Sequence, residues 1–441
     1  MTRSRTVELE GHIIDSGTMQ RCFGAVMDLG GSFDVEQFDV GKHETEESYC
    51  RLTVSADDTE TLRAILHELH QNGAVLEDPS EVNLVAAPAD KVVPPNFYST
   101  TNHPTEVLYG GEWIAVERIE MDCALVVEPE PAADAGEGNR ADASGDDETD
   151  GGPRAYTKTL NAVEEGDLVA TDESGIRVNP PERPRSGGGA FGFMQGGVSA
   201  ERPSESTIRE VAAELRAVKE DGGNVMVVAG PAVIHSGAGN ALADLVAAGY
   251  VDALSAGNGF ATHDLERSIY GTSLGMDVET LEHPRKGHKH HIWTISEIIR
   301  AGGIEAAVEE GIVTEGVMYE CVENDVDTVL AGSIRDDGPL PDTITDAVEA
   351  QNAIREQAHE ADLVIMLATL LHSVAVGNCL PSTTKTVCVD INPATVTQLL
   401  DRGSAQAIGM VTDIGTFVPT LAEFVLEEAG SAEGHAEGGD A

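Results

Sequence analysis

Five short polar motifs each follow an apolar run of strand length: Gly257-Asn258-Gly259, Arg335-Asp336-Asp337-Gly338-Pro339, Thr369-Leu370-Leu371-His372, Asp390-Ile391-Asn392-Pro393 and Thr412-Asp413-Ile414-Gly415. Open parallel sheets bind ligands outside the carboxyl ends of their strands, so polar residues recurring there trace one edge along which a nucleotide can lie. A carboxylate at such a strand tip, as at Asp390, accepts from ribose hydroxyls. A glycine, as at Gly259, lets a ligand approach the backbone. Each residue also has a purely structural reading: Asp390 as the acid of an Asp-Ile-Asn-Pro turn, Asp337 and Asp413 as turn or capping residues. Their joint occurrence on one edge favours nucleotide binding. Gly237-Ala238-Gly239-Asn240 lacks the third glycine of the dinucleotide fingerprint, with Leu242 in its place, and alone it reads as a turn.

A second set of residues could handle an amino acid. Arg285-Lys286-Gly287-His288-Lys289-His290-His291 concentrates cations in an acidic chain. It suits recognition of a carboxylate or phosphate, with a solvated loop as the alternative. Its histidines are not at a usual zinc spacing, and no metal site is expected. Arg335 reads as a bidentate carboxylate clamp or as the ion-pair partner of the acids beside it. Thr262 or His263 could cap a short helix after the loop Gly257–Asp264.

The elements that must position these residues fall into three stretches. Residues 1–93 read as strand–helix–strand–strand–helix–strand, a ferredoxin-like α+β domain. Their helices are expected at 18–29 and 58–71. Residues 94–190 read as a small β-rich domain, interrupted over 128–153 by an acidic tract with almost no large apolar side chain, expected to be disordered. From 204 to 430, apolar strands at 224–229, 251–255, 326–331, 363–368, 386–390 and 407–411 alternate with helical stretches at 240–248, 293–310, 342–359, 394–401 and 417–428. That alternation predicts an α/β fold, a doubly wound parallel sheet with helices on both faces. Asn392 and Pro393 suit the N-cap and first turn of a helix. Residues 431–441 read as a disordered acidic tail.

The chain has 441 residues, with 27 Lys plus Arg against 77 Asp plus Glu, a net charge of −50. Such a field repels nucleic acid and anionic membrane, and neither is an expected partner. Molar salt shortens the reach of these charges to about 3 Å, so a halophilic cytoplasm is inferred, with an acidic interaction surface as the alternative. Cys22, Cys50, Cys123, Cys321, Cys379 and Cys388 form no CxxC pair and suggest neither zinc nor a disulfide scaffold. No signal-peptide pattern follows the first Met. A reduced, cytoplasmic protein, plausibly a homo-oligomer, is expected.

The stretches Ala256–Asp264, Gly332–Pro341 and Ala368–Asn378, with the start Val7–Asp15, resemble the archaeal ornithine cyclodeaminase family. That family shares a domain with bifunctional lysine-oxoglutarate reductase/saccharopine dehydrogenase proteins, and is similar to the C-terminal part of cyanobacterial arginine-degrading enzymes. The resemblance implies a Rossmann-like domain with bound NAD and the conversion of L-ornithine to L-proline plus ammonia. It implies cofactor contacts at Asn258, Gly259, Asp337, Thr369, Leu370, Leu371, His372, Asp390, Asp413 and Ile414. The family usually has Ala where this chain has Gly259, which is compatible with a backbone contact. The tract 128–153 departs from the family.

The implied reaction needs no net oxidant: the α-amine carbon is oxidised to an imine, the tethered δ-amine closes the ring, ammonia leaves, and the ring imine is reduced. The site must therefore exclude water, which hydrolyses imines. For the carboxylate clamp the candidates are Lys289 and Arg335, for the ammonium partner Asp336 and Asp264, and for proton transfer His263 and His372. Two other readings stay open: an amino-acid or saccharopine-type dehydrogenase, and a non-catalytic NAD or amino-acid sensor.

Overall fold

A computed structural model describes residues 3–14, 16–41, 43, 46–77, 80–129, 152–179, 204–277, 289–334, 336, 338–402 and 407–436. The chain forms two compact units, Met1–Gly187 with Pro381–Thr383, and Gly188–Leu380 with Thr384–Ala441.

In the first unit, β1 (Arg3–Gly11), α1 (Thr18–Asp28), β2 (Ser32–Asp39), β3 (Ser48–Ala56), α2 (Thr59–Gln71) and β4 (Val75–Leu76) follow the expected ferredoxin-like order. The antiparallel sheet runs β2-β3-β1-β4. Strict alternation along β3 buries Cys50, Leu52 and Val54 against Cys22 and Val26 of α1 and Ile65 and Leu69 of α2. Asp58 caps α2 by accepting from the Thr61 amide at 2.9 Å.

The same unit holds β5 (Leu84–Ala86), β6 (Thr105–Tyr109), β7 (Glu112–Glu117), β8 (Ala124–Glu128), β9 (Arg154–Lys158), β10 (Leu168–Ala170) and β11 (Ile176–Val178). They form a seven-stranded sheet in the order β11-β6-β7-β9-β8-β10-β5. The three-residue strands β5 and β11 were too short to show a period in the sequence. Apart from its ends, the tract 128–153 lies outside the described residues.

The second unit begins with α3 (Ser204–Glu220), β12 (Val225–Ala229), α4 (Ala232–His235), α5 (Gly239–Ala247), β13 (Ala253–Gly257) and α6 (Asn258–Tyr270). There follow β14 (Thr272–Ser273), β15 (Met276–Asp277), α7 (His290–Ala301), α8 (Ile304–Glu309), α9 (Val317–Glu323), β16 (Asp327–Ala331) and β17 (Thr343–Ile344). The chain continues through α10 (Ala347–Glu360), β18 (Leu363–Leu367), α11 (Leu371–Cys379), β19 (Lys385–Asp390), α12 (Pro393–Arg402), β20 (Ala407–Val411) and α13 (Ile414–Ala436). The main sheet runs β17-β16-β13-β12-β18-β19-β20, and all its pairings are parallel. Without the edge strand β17 this is the doubly wound order 3-2-1-4-5-6, which reverses direction between β12 and β18.

Both faces of that sheet are covered. Val225, Val227 and Ala229 of β12 pack with α3, α5 and α13 through Val211, Leu242 and Phe417. Met226 and Val228 point the other way, to Ile354 of α10, Val376 of α11 and Leu399 of α12. Burial on both sides is why these strands read as continuous apolar runs.

Several expected boundaries move. The single helix expected over 293–310 is two, because Gly302 and Gly303 adopt φ of +102° and +145° and break the ladder. The expected loop Gly257–Asp264 is instead the start of α6, so Thr262 and His263 lie inside a helix and cap nothing. The start of the helix expected at 342 belongs to β17, and Asp346 caps α10 by accepting from the amides of Val348 and Glu349. The last helix runs on to Ala436, into the expected tail. All six cysteines are buried with free thiols, and among the described residues no helix is long and apolar enough to cross a membrane.

Candidate active site

Strand register sets the carboxyl edge of the large sheet. Ala256, Ala229, Leu367 and Val389 lie opposite one another, so Gly257, Gly230, Ala368 and Asp390 form the next row. Ala331 pairs with Gly257 and Val411 with Asp390, extending that row to both sides. Four of the five motifs thus leave one edge, and Gly332-Ser333, just before the fifth, leaves it from β16.

At the reversal point the backbones of β12 and β18 close on each other. A Cβ on Gly230 would lie 2.3 Å from the carbonyl oxygen of Ala368, so only glycine fits. Ala368 itself takes φ +48°, a left-handed conformation uncommon outside glycine. Neither residue was singled out from the sequence, because the signal is a contact between two strand ends distant in the chain.

Two helices start at this edge with amides that no side chain caps. The α6 N-cap is extended Gly257, and the α11 N-cap is Leu370. The first amides of each helix lack an intrahelical acceptor and face the positive end of its dipole. Gly259 has room at its Cα, with Pro231 Cγ 3.6 Å from a built Cβ. The imidazole of His372 lies against Gly257, its Cε1 3.1 Å from a built Cβ, and burial lowers its basicity. Leu371 and Ile391 are 78% and 71% exposed, a large apolar area presented at the edge.

The other edge residues divide into engaged and available groups. Asp390 accepts from the Asn392 amide through Oδ1 at 2.8 Å, and its Oδ2 has no partner among the described residues. Asn392 caps α12 through the Ala394 amide at 3.0 Å, with Pro393 in the first turn as expected. Asn258 is 3% exposed, and its Oδ1 accepts from the Leu340 amide and the Thr343 hydroxyl, both at 2.9 Å. Its side chain thus braces the 338–343 loop, which leaves its backbone for a ligand. Ile414 is buried in the core, so only its backbone reaches the edge. Asp413 is exposed, and its carbonyl accepts from the amides of Thr416 and Phe417. Thr369 is half-buried beside Ala368.

Among the amino-acid-handling candidates, Asp336 closes a local turn through the Ser333 amide at 2.7 Å. Lys289 is exposed at the N-cap of α7. Arg335 and Asp337 lie outside the described residues. Asp264 is 1% exposed and points away from solvent; its Oδ2 accepts from the Met318 amide at 2.8 Å, at the start of α9. Burial pushes its carboxyl up to about 6 against the pull of the Met318 and Val317 amides.

His263 belongs to a network that the sequence did not disclose. Its Nδ1 meets Glu266 Oε2 at 2.9 Å, and Glu266 is fully buried. Glu266 Oε1 accepts from the Thr272 hydroxyl and the Gly275 amide, each at 2.8 Å. Burial would raise this carboxyl, but the bonds from His263, Thr272 and Gly275 outweigh it and hold Glu266 below the usual carboxylate range. Thr272 gives its one proton to Glu266, so His290 Nδ1, 2.8 Å away, must donate to it. His235 of α4 stands edge-on to His263 with ring centres 4.8 Å apart, and its Nδ1 meets the Ser273 hydroxyl at 2.7 Å. The His263-x-x-Glu266 spacing was a usable signal only with α6 recognised as a helix.

Comparisons with known proteins agree with this architecture. Residues 4–103 match the LOR/SDH bifunctional enzyme conserved region. Residues 104–208 and 209–421 match the C-terminal first region and the C-terminal Rossmann fold of arginine dihydrolase ArgZ-like proteins. The chain is 52% identical over 419 residues to a Methanopyrus kandleri protein named ornithine cyclodeaminase, covering 95% of this chain and 96% of that one. The crystal structure of apo ArgZ, an arginine dihydrolase from the ornithine-ammonia cycle in cyanobacteria, superposes with TM-score 0.81 at 37% identity, over 97% of this chain and 59% of that chain. The ternary complex of AgrE with ornithine and NAD+ aligns with TM-score 0.51 at 40% identity, over 98% of this chain and 58% of that chain. AgrE of Nostoc sp. is named a bifunctional arginine dihydrolase/ornithine cyclodeaminase. This chain, with its LOR/SDH region and its Rossmann-fold domain, belongs to the archaeal ornithine cyclodeaminase family.

Proposed function

We propose that the protein holds NAD along the carboxyl edge of its large parallel sheet and converts L-ornithine to L-proline and ammonia, as an NAD-dependent ammonia-lyase. The observation that carries this reading is the edge itself: a strand-order reversal where Gly230 and Ala368 meet, flanked by the uncapped amides of α6 and α11. Such an edge fits a dinucleotide: helix-start amides suit a pyrophosphate, the unpartnered Asp390 Oδ2 suits ribose hydroxyls, and exposed Leu371 and Ile391 suit the face of a base. Gly259, Thr369, Leu370, His372 and Asp413, with the backbones of Asn258 and Ile414, complete the proposed contacts, as does Asp337. The ornithine complex of AgrE supports the substrate.

When bound, the nicotinamide group supplies reversible two-electron oxidation of the amine carbon. The chain's own residues do the rest. Lys289 or Arg335 holds the substrate carboxylate, Asp336 pairs with an ammonium group, and His263 exchanges protons. Asp264, committed to α9, supports α6 from below instead of touching substrate.

Asp390→Ala is the direct test of the cofactor placement. Calorimetric titration with NAD should show binding weakened at least tenfold, with proline formation falling in parallel. Wild-type affinity in the variant would move the cofactor off this edge.

A further inference from the structure

We propose that His263, seated on Glu266, and His235 beside it form the proton store of the reaction, taking two protons from the substrate's ammonium groups and returning them to ammonia and the product amine. The proposal rests on the ornithine reading above and deepens it. Ornithine enters with two ammonium groups. The α-amine must lose a proton before its carbon is oxidised to an iminium. The δ-amine must lose one before its lone pair can attack that carbon. Once the ring closes, a proton passes from ring nitrogen to the α-nitrogen and ammonia leaves. Reduction of the ring iminium gives proline as a neutral amine. Ammonia and this amine then each regain one proton. Two protons come off and two go back, and a water-excluding site needs somewhere to keep them.

The two imidazoles are built for that task. Glu266 fixes His263 through Nδ1, which leaves Nε2 without a hydrogen bond among the described residues. Ser273 fixes His235 through Nδ1 in the same way. Both rings come off the proposed cofactor edge, on helices that follow the neighbouring strands β12 and β13. His263 lies about 7 Å along α6 from Asn258.

The charged and titratable groups facing the pair are Glu266 on α6 and His290 and His291 on α7, with Tyr270 stacked on His290. Partial burial and then the neighbouring His263 pull His235 down to about 4, while Glu266 stays ionised. A proton on His263 therefore faces a buried anion, and a second on His235 is held loosely and returns first. Glu266 is a positioning residue. It sets the tautomer and angle of His263 and stabilises its charged form, as the carboxylate does for the histidine of a serine-protease triad.

The test uses the full chain with L-ornithine and NAD across pH 6–9. His263→Ala and His235→Ala should each lower kcat about 10²-fold or more, and added imidazole should restore at least tenfold of the loss. Glu266→Gln should lower kcat and move the acid limb of the kcat profile to lower pH, with KM changed less than about threefold. In the protein without NAD, the low-field Nδ1 proton resonance of His263 should be sharp in the wild type and broadened in Glu266→Gln. Variants that keep wild-type kcat, or that lose it with an unchanged pH profile and no imidazole rescue, overturn the store while leaving the ornithine reading intact. Absence of proline from the wild type removes both.

Discussion

Asp264 shows how a residue that looks chemical can be architectural. It sits among the motif residues, yet its carboxyl is buried and directed at the first turn of α9. Its folded-state pKa is raised, so the native state binds the proton more tightly than the unfolded chain does. Whatever stability this group allows is present in full below about pH 4 and is lost as pH rises through about 6. Asp264→Asn keeps an acceptor for the Met318 amide and removes the charge. It should be more stable than the wild type at pH 8, by on the order of 1–3 kcal/mol, with the difference shrinking towards pH 4.5. Urea unfolding at the two pH values measures this, and a gap that widens in acid would contradict the assignment. The motifs gave the edge residues because each follows an apolar run, a pattern local in the chain. They could not separate the exposed carboxyl of Asp413 from the committed one of Asp264. Nor could they expose Glu266, whose meaning lies in its contacts with Thr272, Gly275 and His263.

At the scale of elements, the parallel strands were legible because burial on both faces leaves no polar gap, whereas helices interrupted by glycine were not. Gly303 has φ +145° and ψ 177°, a region populated almost solely by glycine, and it turns α7 into α8. Asp342 holds the new helix start, accepting from the Ile304 amide at 3.1 Å. Gly303→Ala should cost roughly 1–3 kcal/mol of stability, read as a lower urea midpoint with unchanged slope. An unchanged midpoint would mean that the break between the helices does not depend on this conformation. The helices α6 and α11 escaped the sequence reading for a related reason. Their first turns carry glycine, threonine and histidine at the sheet edge, so local composition resembled loop while tertiary packing made helix. The glycine pair and the uncapped helix starts both bring backbone to a surface where a ligand can use it.

At the scale of the whole molecule, sequence order alone carried the doubly wound sheet, since six apolar strands alternating with helices admit few other arrangements. The reversal between β12 and β18 was not legible, because strand order within a sheet is decided by long-range pairing. The net charge of −50 surrounds an edge that is proposed to hold an anionic dinucleotide. Molar salt would screen that repulsion to within about 3 Å, and activity is best sought there. The most direct measurement is to incubate the protein in molar KCl with L-ornithine and catalytic NAD, following proline, ammonia and NADH absorbance together. The account predicts equimolar proline and ammonia with no accumulation of NADH. NADH accumulating with turnover, or NAD binding without proline, would contradict it.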